Sequence, residues 1–272
     1  MNMGLENKVV IITGASSGIG KSTAMLLAKE GCRLAICSTS PSKLEAAKRE
    51  MLEHTDQVFA RALDVSDYAA MGSFIDDTVS HYGRVDMLYN NAAIGSFCYL
   101  TELSLEEWQH VMDVNLTSAW QASIRVAKYM KEQRSGAILF TTSLAARIAT
   151  TAIGVYAISK TGINAMTKLL ASELAPYGIR VNSISPGVVM TEMLKEGVIR
   201  QKGIRYVSET AVLQRPSSPD EIAKAAAFLL SDASSYITGE ILDVSGGKFI
   251  VQDPGAPWDK DNIPRQFESI SL

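Results

Sequence analysis

An almost unbroken alternation of short apolar runs with amphipathic stretches is the feature that most constrains how this chain can fold. The runs have the length of strands, and the stretches between them repeat their apolar residues at helical spacing. Strands that alternate with helices form a parallel sheet with helices on both faces, so the sequence predicts an α/β chain with a doubly wound sheet. The predicted strands cover residues 8–12, 33–37, 58–63, 85–89, 137–140, 179–184 and 240–244.

No repeat, low-complexity tract or Gly/Ser linker divides the chain, so the sequence predicts one domain over residues 1–272. Two stretches fall outside the alternation. Residues 190–219, here called the insert, are expected to be irregular or to form short helices, and long insertions often serve as binding loops. Residues 248–272, here called the tail, contain three prolines and are expected to be largely irregular.

The composition excludes several classes of function. The 26 Lys and Arg residues and the 29 Asp and Glu residues give a formal net charge of −3, so no basic excess is available to neutralise nucleic-acid phosphates. No apolar run approaches the roughly 18 residues of a membrane helix. Cys32, Cys37 and Cys98 are too few and too scattered for a disulfide framework or a zinc site. We therefore expect a cytoplasmic protein with no metal centre and no nucleic-acid or membrane partner.

Three glycines, Gly14, Gly18 and Gly20, follow the first predicted strand. Glycines at a strand-to-helix turn let the backbone approach a phosphate, and the next helix offers free N–H groups and a partial positive charge. The simplest alternative is a plain tight turn. Another is a relaxed phosphate-binding loop of a nucleotide triphosphatase that includes Lys21. That loop would lack its usual first glycine, and the fourth and fifth strands end without an acid to help hold magnesium.

A tyrosine and a lysine share one face of a predicted helix. Tyr156 and Lys160 are four residues apart, and four steps of about 100° bring both to the same side. A nearby cation lowers the pKa of a phenol, which would make Tyr156 a usable acid or base near neutral pH. Taken alone, the spacing also fits a surface tyrosine beside a solvated lysine.

Two further polar residues change that weighting. Ser143 ends a predicted strand, where open parallel sheets bind ligands, and its hydroxyl could hold a substrate oxygen beside the phenol. Asn115 lies inside a helix predicted over residues 104–131, although asparagine is unfavourable there. Asn115 is therefore exposed or merely tolerated, or else its side chain bonds backbone or water and links Lys160 to solvent.

The chain carries a series of short motifs in a fixed order: Thr13-Gly14-x-x-x-Gly18-x-Gly20, Asp64-Val65, Asn90-Asn91-Ala92-Ala93, Asn115, Ser143, Tyr156-x-x-x-Lys160 and Pro186-Gly187. With them it resembles the short-chain dehydrogenase/reductase family from residue 6 to about residue 247. The resemblance implies a Rossmann-type subunit, usually a homotetramer or homodimer, that moves a hydride between NAD(P) and a carbonyl or alcohol. Ala93 and Ser245 replace a glycine and an aspartate of the usual family pattern. Gly162 stands where the enoyl-reductase branch has its lysine, which disfavours reduction of carbon–carbon double bonds.

The resemblance also implies a role for each matching residue. Tyr156 would be the general acid/base, and Lys160 would lower its pKa and bond the nicotinamide ribose. Ser143 would orient the substrate oxygen, and Asn115 would anchor a water in the proton relay. Asp64 would meet the adenine amino group. The other residues expected at the cofactor are Thr13, Gly14, Ser16, Ser17, Gly18, Ile19, Gly20, Ser38, Thr39, Ser40, Val65, Asn91, Ala92, Pro186, Gly187, Val188 and Thr191.

The end of the second predicted strand bears on the choice of cofactor. An acid at this place would accept a hydrogen bond from the ribose 2′-hydroxyl and repel a 2′-phosphate. The chain has Ser38, Thr39 and Ser40 instead, and Lys43 follows within the next helix turn. Although the arginine that often marks NADP use is missing, the lack of an acid favours NADP(H) over NAD(H).

The insert is rich in methionine and aliphatic residues, which suit an apolar ligand and can repack around it. We expect a carbonyl or alcohol substrate that is fairly large and apolar, and steroid-like in character. Trp258 and Phe267 are expected to dock the tail onto a neighbouring subunit or over the mouth of the active site. The alternative is a non-catalytic dinucleotide-binding protein, because fold alone does not establish chemistry.

Overall fold

The computed structural model describes residues 3–148, 151–195, 199–260 and 264–265. Within those ranges, seven parallel strands form one sheet in the order β3-β2-β1-β4-β5-β6-β7. The chain builds outward from β1 to β3 and then returns to the other side of β1, which confirms the predicted doubly wound, Rossmann-type sheet. The strands are β1 (Val9–Thr13), β2 (Arg33–Ser38), β3 (Val58–Ala62), β4 (Met87–Asn90), β5 (Gly136–Thr141), β6 (Ile179–Pro186) and β7 (Ile241–Val244).

Helices connect the strands, and several begin at side chains that cap them. Ser40, Asp67, Ser104 and Ser218 each accept a backbone N–H from the first turn of the helix that follows. The helices are α1 (Gly18–Lys29), α2 (Pro41–Met51), α3 (Tyr68–Tyr82), α4 (Leu105–Met112), α5 (Ser118–Gln133), α6 (Gly154–Leu174), α7 (Glu192–Leu194), α8 (Arg200–Ser208), α9 (Pro219–Leu230) and α10 (Ala256–Lys260). None of them is long and apolar enough to cross a membrane.

Two hydrophobic cores cover the two faces of the sheet, because successive strand residues point in opposite directions. Val10 and Ile12 of β1 lie in one core with residues of α1, α2 and α9, whereas Ile11 lies in the other with residues of α3, α5 and α6. All three side chains are fully buried, and each such burial contributes about 1.5–3 kcal/mol. The helices therefore cover both faces, as predicted, and leave the strand ends as the place for a site.

The single helix predicted over residues 104–131 is interrupted. α4 ends at Met112, residues Asp113–Thr117 form a π turn, and α5 begins at Ser118. A π turn takes up one more residue than an α-helical turn and occurs frequently at functional sites. The prediction missed it because the apolar spacing on either side still matches one continuous helix. The turn carries Asn115.

The insert contains the short helices α7 and α8, as predicted. Gly203 interrupts α8 with φ +76° and ψ 164°. The tail is largely irregular in its described part but includes α10. Trp258 of α10 donates its Nε1–H to the carbonyl of Val212 at 3.0 Å, so the tail docks on the insert of its own chain. Phe267, the other predicted anchor, lies outside the described residues.

Candidate active site

The switch point of the sheet lies between β1 and β4, where the strand order reverses and dinucleotide-type ligands bind in such folds. Thr13, at the end of β1, is buried, and its hydroxyl accepts the backbone N–H groups of Asn91 and Ala92 at 3.0 Å each. The Asn91 side chain donates back to the Thr13 carbonyl at 3.1 Å. These bonds hold the ends of β1 and β4 together at the predicted site.

The glycine turn packs the start of α1 tightly against this brace. Gly14 has φ +67°, and a Cβ on Gly20 would lie 2.3 Å from the Gly14 carbonyl oxygen, so a side chain is excluded there. Gly18 has φ +53° and lies against Thr191 of the insert. Among the described residues, no side chain caps α1 at Ser17. The N–H groups of its first turn are therefore available to a pyrophosphate, as a dinucleotide site requires.

The end of β2 carries hydroxyls where a dinucleotide's ribose would lie. Ser38 is buried, and its Oγ has no hydrogen-bond partner among the described residues, whereas Thr39 is exposed. The Ser40 hydroxyl caps α2. The Lys43 ammonium lies 2.8 Å from a carboxylate oxygen of Glu192 in α7. A buried hydroxyl without a partner at the end of β2 fits a ribose.

Asp64 and Val65, both predicted to lie at the adenine, differ in exposure. Val65 is 6 % exposed and belongs to the core beside α3. Asp64 is exposed, and its carboxylate accepts the backbone N–H and the hydroxyl of Ser66 at 2.9 and 2.7 Å. The Asp64 side chain thus makes a local turn, and its predicted contact with adenine stays a prediction.

The end of β6 lies close to the chain that follows β7. A Cβ on Gly187 would come within 2.8 Å of the Ser245 Cα, so glycine is required at this approach. The Val188 carbonyl accepts the backbone N–H of Ser217 at 2.8 Å, which joins the two ends of the insert. The predicted nicotinamide segment therefore starts from a rigid point.

The predicted catalytic residues come together beside β5 and α6. Lys160 is 2 % exposed, and its ammonium donates to the Thr141 carbonyl at 2.8 Å. It also lies 5.7 Å from the centre of the Tyr156 ring. Ser143 lies just beyond the end of β5, near enough to Tyr156 that its hydroxyl lowers the pKa of the phenol. The Tyr156 phenol, the Ser143 hydroxyl and the Lys160 ammonium therefore lie close together at the carboxyl edge of the sheet.

Burial shifts the pKa values of both ionisable groups toward their neutral forms. Desolvation raises the pKa of Tyr156, and the hydrogen bond from Ser143 offsets this in part. Desolvation lowers the pKa of Lys160 to about 8. The expected lowering of the Tyr156 pKa by Lys160 is therefore not seen in the protein chain by itself, because the loss of water outweighs an ammonium at this distance.

Asn115 is buried and ties three elements together. Its Oδ1 accepts the Ile94 backbone N–H at 2.8 Å, and its Nδ2 donates to the Ile94 carbonyl at 2.9 Å and to the Ser159 hydroxyl at 3.2 Å. Asn115 is 2 % exposed, so the exposed alternative is wrong and the bond to backbone is confirmed. Its predicted role in a water relay stays a prediction.

Sequence reasoning missed two residues that complete the site. The hydroxyl of Thr141 lies 3.2 Å from the Asn91 Oδ1, so this residue links Lys160 to the β4 brace. Ser159 bridges Asn115 to the Tyr156 carbonyl, which its hydroxyl contacts at 2.7 Å. The only available signal was position, since both residues adjoin predicted site residues. In the described part of the chain, no three His, Cys, Asp or Glu residues are grouped as a metal site.

The polar cluster at the carboxyl edge and the switch point beside it define a class of dinucleotide-dependent α/β oxidoreductases. A family model described as enoyl-(acyl carrier protein) reductase matches residues 14–248. The chain belongs to the short-chain dehydrogenase/reductase family and is an NAD(P)-dependent oxidoreductase. This membership leaves no place for the triphosphatase alternative.

Relatives with reductase names share most of the chain. The 3-oxoacyl-[acyl-carrier-protein] reductase FabG of Thermotoga maritima is 36 % identical over 91 % of this chain and 100 % of its own length. Levodione reductase of Leifsonia aquatica is 34 % identical over 89 % and 94 %. A crystal structure of levodione reductase has a TM-score of 0.86 at 33 % identity, covering 89 % of this chain and 97 % of its own. A putative gluconate dehydrogenase from Agrobacterium tumefaciens has a TM-score of 0.88 at 32 % identity, covering 92 % and 99 %.

Proposed function

We propose that the protein reduces the ketone of a 3-oxoacyl thioester to the secondary alcohol at the expense of NADPH. The observation that carries this proposal is the cluster of Ser143, Tyr156 and Lys160 beside the switch point. When bound, the reduced nicotinamide supplies the hydride that the carbonyl carbon receives. Tyr156 gives its phenolic proton to the carbonyl oxygen, and the products are an alcohol and the oxidised cofactor.

Tyr156 must carry its proton before it can protonate the carbonyl oxygen. Burial holds the pKa of this phenol above its ordinary value, so the hydroxyl is protonated at neutral pH. Ser143 holds the carbonyl oxygen beside that hydroxyl. Lys160, with a pKa near 8, is mostly protonated at pH 7, so its positive charge favours the phenolate that remains after proton transfer.

The relatives' names support the substrate class. Relatives from Thermotoga maritima, Synechocystis and Chlamydia trachomatis are all named 3-oxoacyl-[acyl-carrier-protein] reductases. The steroid-like substrate expected from the apolar insert finds no support among them, and we do not retain it. Reduction of a carbon–carbon double bond stays disfavoured, because Gly162 stands where the enoyl-reductase branch has its lysine; a Cβ there would lie 2.8 Å from the Leu116 side chain.

The proposal takes NADP(H) as the cofactor. Ser38, Thr39 and Ser40 present no carboxylate at the end of β2, and Lys43 follows in the first turn of α2. We also propose a single catalytic domain that acts as a cytoplasmic homo-oligomer, a tetramer or a dimer. Exposed apolar side chains on α4, α5 and α6 support association, including Leu105 at 80 % exposure and Leu169 at 63 %.

Turnover of acetoacetyl-coenzyme A by the purified protein tests the function. We expect oxidation of NADPH, with NADH used less well, and loss of at least about 1,000-fold in kcat for Tyr156→Phe. The variant keeps the ring, so NADPH should still bind with an unchanged Kd, measured by its fluorescence. Crotonyl-coenzyme A and levodione serve as comparison substrates.

Three results would contradict the proposal. Preferential reduction of crotonyl-coenzyme A would indicate an enoyl reductase. A Tyr156→Phe variant with full activity would remove the assigned proton donor. Binding of NADPH without turnover of any carbonyl would favour the non-catalytic alternative.

A further inference from the structure

The tail forms hydrogen bonds to residues 212 and 214 of the insert. Trp258 donates to the Val212 carbonyl at 3.0 Å, and the Arg265 Nε–H donates to the Gln214 Oε1 at 2.9 Å. Arg265 also pairs with Asp259 at 2.5 Å, and only 16 % of its side chain is exposed. The family model ends at residue 248, so these contacts use a part of the chain that the model does not match.

The contact with Arg265 matters for stability because Gln214 is buried. The residue is 0 % exposed, and its Nε2 donates to the Glu209 and Ala211 carbonyls just after α8, at 3.3 and 2.8 Å. The Oε1 takes its hydrogen bond from Arg265, and a buried amide oxygen without a donor is costly. Gln214 also has φ +49°, a conformation that persists only where the surroundings fix it. Arg265 therefore completes a buried polar cluster.

The same segment is held on its other sides. Leu213 donates its backbone N–H to the Gly246 carbonyl at 3.0 Å. Arg215 forms a two-bond ion pair with Glu221 of α9, at 2.8 and 2.7 Å. Residues 209–217 thus form the C-terminal arm of the insert, fixed between the end of β7, α9 and the tail.

The C-terminal arm is connected to the proposed cofactor site. Ser217 donates to the Val188 carbonyl at 2.8 Å and accepts the backbone N–H of Met190 at 2.9 Å. Thr191, the next residue, lies against Gly18 at the start of α1. A displacement of the arm is therefore passed to the segment that enters the site, while Tyr156 and its neighbours belong to β5 and α6.

We propose that Arg265 and Trp258 are positioning residues that hold the C-terminal arm so that the insert forms one wall of the substrate site. The proposal rests on the function proposed above, since that function puts the carbonyl substrate beside Tyr156. Loosening the arm weakens binding of the substrate but leaves the proton donor and its partners in place. The effect therefore falls on KM rather than on kcat.

The test is Arg265→Met in the full chain. We expect KM for acetoacetyl-coenzyme A to rise about 5- to 10-fold, with kcat and the Kd for NADPH changed less than about twofold. Arg265→Lys keeps a donor for Gln214 and should recover most of the loss. Trp258→Phe removes the indole N–H that bonds Val212 and keeps a smaller aromatic ring, and it should raise KM by about threefold. Lys260→Met, which changes an exposed charge on the same α10 helix, is the matched control and should leave KM unchanged.

Trypsin cleavage of the ligand-free protein gives a second measurement that does not depend on turnover. The insert offers cleavage sites at Arg200, Lys202 and Arg205, and Arg265→Met should speed cleavage there by about fivefold. Unchanged KM and unchanged cleavage, with only a lower Tm, would overturn the proposal and leave the tail a purely stabilising element. If the wild-type chain reduces no carbonyl, the proposed function fails, and the cleavage rates still decide whether the tail holds the insert.

Discussion

Replacing Lys160 by methionine should make the protein more stable and inactive at the same time. The side chain is 2 % exposed, and burial lowers its pKa from 10.5 to about 8. At about 1.4 kcal/mol per pKa unit, this difference means that burying the charged ammonium lowers the free energy of unfolding by roughly 3 kcal/mol. Methionine has a similar length and no charge, so Lys160→Met avoids that cost.

The pH dependence follows from proton binding in the two states. Below pH 8, Lys160 is protonated in both the folded and the unfolded chain, and folding carries the whole cost. Between pH 8 and 10.5 the unfolded state binds more protons, so the wild-type free energy of unfolding rises with pH. Lys160→Met should therefore be more stable by about 2–3 kcal/mol at pH 7, or roughly 5–10 °C in Tm, and should lose that advantage by pH 10.5.

Thermal unfolding of both proteins at pH 7, 9 and 10.5 measures the effect. Lys168→Met removes an exposed lysine from the same helix, α6, and should show no gain at any of these pH values. A Lys160→Met variant that is no more stable than wild type at pH 7 would refute the reasoning. So would a stability difference that stays constant up to pH 10.5. Carbonyl reduction by the variant should fall by at least about 100-fold.

Three further substitutions test the cofactor side of the site. Thr13→Val removes the buried hydroxyl that accepts two backbone N–H groups, and should lower the free energy of unfolding by about 2–4 kcal/mol in urea titrations; a loss below about 0.5 kcal/mol would contradict this. Lys43→Met should raise the Kd for NADPH about fivefold with little change for NADH, and Glu192→Gln, which removes the carboxylate paired with Lys43, should lower the Kd for NADPH. Equal changes for both cofactors would contradict a contact with the 2′-phosphate, and Glu45→Gln, within α2, is the control.

The parts of the fold that follow from local pattern could be predicted. The apolar runs gave the strands to within about one or two residues, since a buried parallel strand needs a continuous apolar stretch. Gly14 and Gly20 marked the turn because each position needs a glycine. Gly14 has a positive φ, and Gly20 has no room for a Cβ. Tyr156 and Lys160 could be paired because helix geometry fixes their relative direction.

The remaining features depend on contacts between distant parts of the chain. Apolar spacing does not distinguish the π turn at Asn115 from an ordinary helix, because the bonds that favour it come from Ile94 and Ser159. The pKa of Tyr156 depends on how completely the folded chain excludes water. The contact between Arg265 and Gln214 joins residues whose local sequences give no sign of each other.

The position of Asn115 depends on the number of residues in the π turn at residues 113–117. The wide turn takes up one additional residue, and α4 and α5 pack on either side of it. Deleting a single residue here would yield a regular, well-bonded helix and an intact fold, but would withdraw Asn115 from Ile94. The length of residues 113–117 is therefore tied to the buried hydrogen bonds of Asn115, and a one-residue deletion that makes the helix more regular gives up those bonds.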